Sequence, residues 1–170
     1  MIAMLGDLKG VKHLIESNEI GILKERITII NEIFAKAYLR EKNRSRTLKC
    51  ITFSDSILAI WHSDVEGKKY ASEFSESIWL EIQKHKFPYR IFIDGGLKYT
   101  DYDNIGEILS NEDERFKKIF PVAISIWSIF IAENSKFPEG VFIGEEMVDN
   151  GNLRSNPIFV AGDFRYYQIQ

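Results

Sequence analysis

Two aspartates follow apolar segments that have the length and composition of buried strands. Asp7 comes after residues 1–5 and Gly6, and Asp55 comes after residues 48–53 and one serine. Two carboxylates a few ångströms apart repel each other unless a cation lies between them. Such oxygen ligands suit Mg²⁺ or Mn²⁺, and Mg²⁺ completes its shell with water and phosphates. The pair therefore predicts a metal–nucleotide site, with the alternative that each aspartate only caps a local turn.

The segments around these aspartates predict how the chain brings them together. Residues 1–5 form a continuous apolar run that ends at Gly6, which predicts a short buried strand with Asp7 at its C-terminal end. Residues 48–53 and 56–61 are strand-like and flank two polar residues, which predicts a β-hairpin with Asp55 at its tip. We expect the first strand and the hairpin to be central neighbours, so that Asp7 and Asp55 approach each other.

The remaining segments complete an α+β order. Apolar residues recur at three- and four-residue steps in two segments, 20–38 and 66–86, which predicts two amphipathic helices. A third helix is predicted over 115–134, although its apolar core also permits a strand. The order predicts a ferredoxin-like βαββαβ core, its helices on one face, with an extra helix and C-terminal strands in one domain of residues 1–170. The other predicted segments are a short helix around 11–15, a loop over 41–46, a strand over 89–97, a polar loop over 98–114, and closing strands over 141–144, 157–161 and 164–169.

Composition excludes several classes of protein. The 170 residues carry a net charge of −3, which argues against a broad basic face for nucleic acid. The only cysteine, Cys50, rules out an internal disulfide and a cysteine-rich zinc site, so we expect a reducing, cytoplasmic location. The apolar run at the N-terminus is too short for a signal peptide, and the apolar segment 116–132 is interrupted by Lys117 and Lys118. We therefore expect no membrane span.

Four segments, taken in order, resemble the class III nucleotide cyclases. Residues 2–10, Ile-Ala-Met-Leu-Gly-Asp-Leu-Lys-Gly, resemble the first metal motif of that family, and residues 51–59, Ile-Thr-Phe-Ser-Asp-Ser-Ile-Leu-Ala, resemble the second. Residues 90–96 resemble the next strand, an Arg-Gly-x-Ile-x-x-Gly pattern in which Ile91 replaces the first glycine. Residues 132–143 resemble the end of the signature helix and the strand after it. The resemblance covers almost the whole chain.

The resemblance implies a metal-dependent reaction of a nucleoside triphosphate. Asp7 and Asp55 would bind two divalent ions, Mg²⁺ or Mn²⁺, and the backbone carbonyl of Leu8 would be a further ligand. In the family the ribose 3′-oxygen attacks the α-phosphate, pyrophosphate leaves, and a 3′,5′-cyclic nucleotide results. The resemblance also implies a head-to-tail homodimer, and the apolar helix over 116–132 is the predicted interface. A Trp127→Asp change in that helix should then give monomers.

The chain departs from the family pattern in the signature helix. The family's asparagine and arginine positions fall on Trp127 and Ile131, neither of which can bind a phosphate as an arginine does. A positioned cation is worth about 10³-fold or more in phosphoryl transfer, so these residues argue against ordinary cyclase activity. The candidate residues for contacts with the nucleotide are then Lys9, Gly10, Lys49, Ile51 at the base-selecting position, Ser54 and Arg90. For Lys9 the alternative is an exposed side chain with no contact to the nucleotide. For Arg90 the alternative is an ion pair with a surface carboxylate.

Three interpretations of function remain open. The first is a stand-alone cyclase-like domain, similar to free-standing bacterial cyclases that include those of anti-phage defence making cyclic pyrimidine nucleotides. The second is a catalytically inactive cyclase fold that binds a nucleotide or a partner protein. The third is an enzyme that joins nucleotides into oligonucleotides or cyclic dinucleotides, although Ser54-Asp55 stands where such enzymes have a Gly-Gly-Asp-type turn.

Overall fold

The computed structural model describes residues 2–41, 49–53, 55–61, 65–95, 124–148 and 156–170. Its elements are a mixture of strands and helices, with two helices after the first strand and two strand pairs, the second with the third and the sixth with the seventh, that have no helix between them. In chain order they are β1 (Ile2–Leu8), α1 (Val11–Glu16), α2 (Ile20–Glu41), β2 (Lys49–Phe53), β3 (Ser56–Trp61), α3 (Val65–His85), β4 (Tyr89–Asp94), α4 (Ile124–Glu133), β5 (Gly140–Gly144), a 3₁₀ turn (Glu145–Met147), β6 (Ile158–Ala161) and β7 (Phe164–Gln168).

Seven strands form one sheet in the order β2-β3-β1-β4-β5-β7-β6. The strand β1 lies between β3 and β4 and is antiparallel to both, as a ferredoxin-like core requires. The strands β4 and β5 are parallel, so the chain must cross over between them, and it does so through α4. The predicted hairpin of β2 and β3 and the central position of β1 next to it are confirmed.

Each face of the sheet carries its own apolar core. One core joins α2 and α3 to the even-numbered residues of β1, and it contains Met4, Phe34 and Phe74. The other joins α4 to the odd-numbered residues of β1, and it contains Leu5 and Ile129. The alternation of side chains along a strand explains why one apolar strand supplies both cores. The two core helices share one face as predicted, and the extra helix covers the other.

Several predicted boundaries were wrong in informative ways. Gly6 does not end the first strand, because β1 continues to Leu8 and Asp7 lies inside it. The strand β4 ends at Asp94 rather than at residue 97. The predicted third helix is helical over Ile124–Glu133, which decides against a strand there. It packs on β1 and β4 at the middle of the sheet rather than at a domain edge. The predicted loop over 98–114 and the helix start at 115–123 lie outside the described residues, as do residues 42–46 of the basic loop.

No helix in the described ranges is long and apolar enough to cross a membrane.

Candidate functional site

Three neighbouring strands bring polar side chains together at one end of the α4 face. In the antiparallel register Asp7 on β1 lies opposite Ser56 on β3 and opposite Arg90 on β4. Side chains at opposite positions share a face of the sheet, so all three point to the side that α4 covers. Asp7 is 6% exposed and Arg90 is 8% exposed, which makes this a charged cluster inside the fold.

Asp7 and Arg90 form a short, buried ion pair. The Nη2 atom of Arg90 donates to Oδ2 of Asp7 over 2.6 Å, and the Ser56 hydroxyl lies 3.4 Å from the other carboxylate oxygen, Oδ1. Arg90 thus pairs with a buried aspartate of the site, and the alternative of a surface partner is wrong. Among the described residues only Oδ2 of Asp7 takes part in a short bond, so Oδ1 keeps capacity to bind a further ligand.

The end of α4 supplies the other partners of Arg90. Its Nη1 atom donates to the carbonyl oxygen of Ser135 over 3.2 Å, and Nη2 lies 3.6 Å from Oε1 of Glu133. Lys9 follows β1 and is half-buried, and its Nζ atom donates to the carbonyl oxygen of Phe137 over 3.3 Å. Two cations therefore donate to backbone carbonyls of the segment that follows α4.

Glu133 is the site residue that sequence reasoning missed. It served only to align the signature helix, and nothing in its own neighbourhood of the sequence marks it as a partner for Arg90, 43 positions earlier. Ser56 was missed as well, although its place directly after Asp55 was a usable signal.

Asp55 acts on this cluster through its charge. It is half-buried in the turn between β2 and β3, next to the register partner of Asp7. Burial raises the pKa of Asp7, the hydrogen bond and charge of Arg90 oppose that rise, and the charge of Asp55 adds to it. Burial also raises the pKa of Glu133, and the charges of Asp7 and Asp55 add to that rise. The charges of both aspartates thus act on a third carboxyl, that of Glu133.

The backbone of β1 is closely packed beneath this site. A methyl group at Gly6 would collide with the hydroxyl of Tyr89, which lies on the opposite face of the sheet from Asp7. That hydroxyl is buried and has no hydrogen-bond partner among the described residues. Gly6 is therefore needed for space beside Tyr89, and its backbone does not end the strand.

The donor set fits a divalent cation that has open coordination positions. Two carboxylates, Asp7 and Asp55, are hard oxygen ligands, and within the part of the chain that the structure describes Oδ1 of Asp7 has only the long contact to Ser56. Within the described ranges no three histidine, cysteine or acidic side chains come together as a metal cluster. Mg²⁺ commonly binds through one or two carboxylates and fills its other positions with water and phosphate oxygens. The residues present suit that mode of binding and do not form a closed protein cage.

The other predicted site residues are less informative. Leu8 is the last residue of β1, with its side chain in the core below α2 and α3. Gly10 precedes α1 with a φ of 81°, a left-handed conformation that favours glycine, and a Cβ atom there would meet nothing within 4 Å. Lys49 and Ile51 lie in β2, but their side chains are outside what the structure describes, as are Ser54 and the side chain of Trp127.

A second polar cluster lies at the other end of β4. Asp94 is 4% exposed, and Tyr166 on β7 donates its hydroxyl to Oδ2 of Asp94 over 3.0 Å. Burial and the charge of Asp94 raise the pKa of Tyr166, and a bond with Ser128 on α4 opposes the rise. Asp94 is therefore a buried hydrogen-bond acceptor inside the fold.

The fold is that of guanylyl cyclase domains. The guanylyl cyclase Cya2 is similar at a TM-score of 0.62 and 10% identity, over 98% of this chain and 89% of that one. The guanylyl cyclase domain of the RhoGC fusion protein, from the aquatic fungus Blastocladiella emersonii, is similar at a TM-score of 0.61 and 11% identity, over 98% and 91%. No family model and no curated protein matches the sequence. These likenesses establish the class III cyclase fold.

Proposed function

We propose that this chain is a nucleotide cyclase-like domain that binds a nucleoside triphosphate with Mg²⁺ or Mn²⁺ at Asp7 and Asp55 and converts it to a 3′,5′-cyclic nucleotide. The observation that carries the proposal is the buried Asp7–Arg90 pair beside the charge of Asp55, on the fold of guanylyl cyclase domains. Buried charges that serve only the fold are costly, so an arginine paired with Asp7 and Glu133, beside the charge of Asp55, favours a binding role.

The reaction needs positioned charge more than it needs covalent chemistry. The ribose 3′-oxygen forms a bond to the α-phosphorus, the bond from that phosphorus to its bridging oxygen breaks, and pyrophosphate leaves while the hydroxyl proton passes to water. A divalent cation bound at the two aspartates would stabilise the attacking and leaving oxygens. Asp7 would use Oδ1, the oxygen that Arg90 does not hold, and the carbonyl of Leu8 would be the third ligand that the resemblance implies.

Arg90 and Lys9 are the cations we expect to meet the phosphates. The guanidinium of Arg90 is held by Asp7 and the Ser135 carbonyl, and its buried Nε atom has no hydrogen-bond partner among the described residues. A phosphate would replace one of these partners with a charge-assisted bond. Lys9 donates to a neutral carbonyl, that of Phe137, and a phosphate would replace this bond with a charge-assisted one. Gly10, Lys49, Ile51 and Ser54 stay candidate contacts for the rest of the nucleotide.

A second candidate function is an inactive cyclase fold that senses a nucleotide. The observation that favours it is Ile131, which is 37% exposed and offers only hydrocarbon where the family has an arginine. Without that cation the transition state would lose a factor of about 10³ or more, while ground-state binding at Asp7 and Asp55 would remain. The head-to-tail homodimer stays a proposal for both functions, with Trp127→Asp as its test.

The deciding experiment incubates the protein with each of the four ribonucleoside triphosphates and Mn²⁺, and identifies products by mass spectrometry. Asp55→Ala removes a proposed ligand, and Asp163→Ala is the matched control because Asp163 is an exposed aspartate in the β6–β7 turn. A cyclic mononucleotide lost only in Asp55→Ala supports the cyclase and names its base. No product, with metal-dependent binding by calorimetry, supports the sensor. Neither product nor binding would refute both.

A further inference from the structure

Glu133 and Asp7 compete for the same guanidinium nitrogen. The Nη2 atom of Arg90 lies 2.6 Å from Oδ2 of Asp7 and 3.6 Å from Oε1 of Glu133. A shift of Arg90 by about one ångström would therefore exchange the stronger of its two ion pairs. The Ser135 bond is made by the other terminal nitrogen, Nη1, so Ser135 and Glu133 do not share one donor atom.

A cation at Asp7 gives such a shift a cause. A divalent ion bound at Oδ1 would lie beside a guanidinium that holds Oδ2 of the same carboxylate, and the two positive charges would repel each other. The side chain of Arg90 is 10% exposed, so it has little access to water as a replacement partner. Glu133 is 26% exposed and approaches the same terminal nitrogen as Asp7, as a carboxylate that can accept it.

We propose that Glu133 is a positioning residue that accepts Arg90 when a divalent cation binds at Asp7, and so sets the affinity of that site for the cation. This inference rests on the metal site of the proposed function, and it adds a way in which α4 regulates cation binding at that site. Glu133 touches neither the cation nor the nucleotide in this arrangement. It acts by keeping Arg90 inside the site after Arg90 leaves Asp7, which also keeps the arginine near the bound phosphates.

The test is Mn²⁺ binding by calorimetry in the absence of nucleotide. Glu133→Gln keeps the size of the side chain and removes its charge, and we expect the Kd for Mn²⁺ to rise about tenfold. Glu139→Gln is the matched control, since Glu139 is an exposed glutamate six positions later. A simple loss of negative charge would also weaken binding, so the pair of variants is repeated in Arg90→Met. Without Arg90 the effect of Glu133→Gln should fall to within about twofold.

The outcomes separate this inference from the proposed function. No Mn²⁺ binding by the unmodified chain would overturn both. Binding that Glu133→Gln leaves unchanged, or weakens equally with and without Arg90, would overturn the inference and leave the metal site in place. If Arg90→Met does not fold, the side-chain nitrogen signals of Arg90 are followed by NMR during titration with Mg²⁺. These signals should shift in the unmodified chain and shift less in Glu133→Gln. Signals that do not shift in the unmodified chain would refute the exchange.

Discussion

Replacing Arg90 with methionine tests whether the charges of the site depend on each other. The side chains of Arg90 and Asp7 are 10% and 8% exposed, and the Nη2–Oδ2 distance is 2.6 Å. The change keeps an unbranched apolar stem and leaves the carboxylate of Asp7 buried without its cation. Removing one partner of a buried pair costs about 3–5 kcal/mol. For a chain of this size the melting temperature should fall by roughly 6–20 °C.

The loss of stability should depend on pH in a defined direction. Burial raises the pKa of Asp7 and Arg90 opposes that rise, so the pKa must rise further in Arg90→Met. A carboxyl with a higher pKa in the folded state binds more protons when folded, and the folded variant therefore gains stability as the pH falls. The difference in stability from the unmodified chain should be largest at pH 7 and shrink as the pH falls toward about 3.9, the ordinary pKa of an aspartate.

Urea unfolding followed by circular dichroism at pH 7 and pH 5 measures both effects. Arg165→Met is the control, because Arg165 is an exposed arginine on β7, and it should change stability by no more than about 0.5 kcal/mol. The double variant Asp7→Asn/Arg90→Met should recover part of the loss, since the buried charge is gone. A loss below about 1 kcal/mol at pH 7, the value of an exposed pair, would refute a buried, interdependent site.

Three further predictions concern the packing around the site and the cysteine. Gly6→Ala should cost about 1–3 kcal/mol in urea unfolding, and less in a Tyr89→Phe background, which removes the hydroxyl that a methyl at Gly6 would meet. Tyr166→Phe should cost about 1–3 kcal/mol, measured in the same way, because Asp94 loses a buried donor. Burial raises the pKa of the Cys50 thiol to about 12. Folded protein at pH 8 should therefore react with iodoacetamide on the order of 10³-fold more slowly than unfolded protein, and equal rates would contradict the burial.

Periodicity and turn residues were enough to predict the fold. The alternation of apolar runs with the 3.6-residue stripes of α2 and α3 depends on local sequence, and a βαββαβ order allows few arrangements. The hairpin around Asp55 followed from two strand-like runs with two polar residues between them. The predicted end of β1 was wrong because a glycine after an apolar run usually indicates the end of a strand. Here Gly6 instead makes room for Tyr89 from the neighbouring strand. No local pattern contains that contact.

The site was predictable only in the part that its own segments carry. Asp7, Asp55 and Arg90 each lie at a recognisable strand end or turn, and the structure brings the first and third into contact. The contact of Glu133 with Arg90 depends on the position of α4 over β1 and β4. That position in turn depends on the parallel pairing of β4 with β5. Contacts between elements so far apart in the chain follow from sheet order, and the sequence of any one element does not encode them.

The C-terminal end of α4 has a role in the site that does not depend on the two positions at which this helix departs from the cyclase pattern. Ile131 cannot bind a phosphate as the arginine of the cyclase pattern would, and Trp127 cannot take the place of its asparagine. Glu133 and the Ser135 carbonyl nevertheless meet Arg90 from the same helix and the turn after it. Because the residues at the end of α4 contact Arg90, a change in the position of α4 would change the balance between the Arg90–Asp7 ion pair and the Arg90–Glu133 ion pair. Under the metal site and the exchange proposed above, a partner that moves α4 is expected to alter cation binding at Asp7.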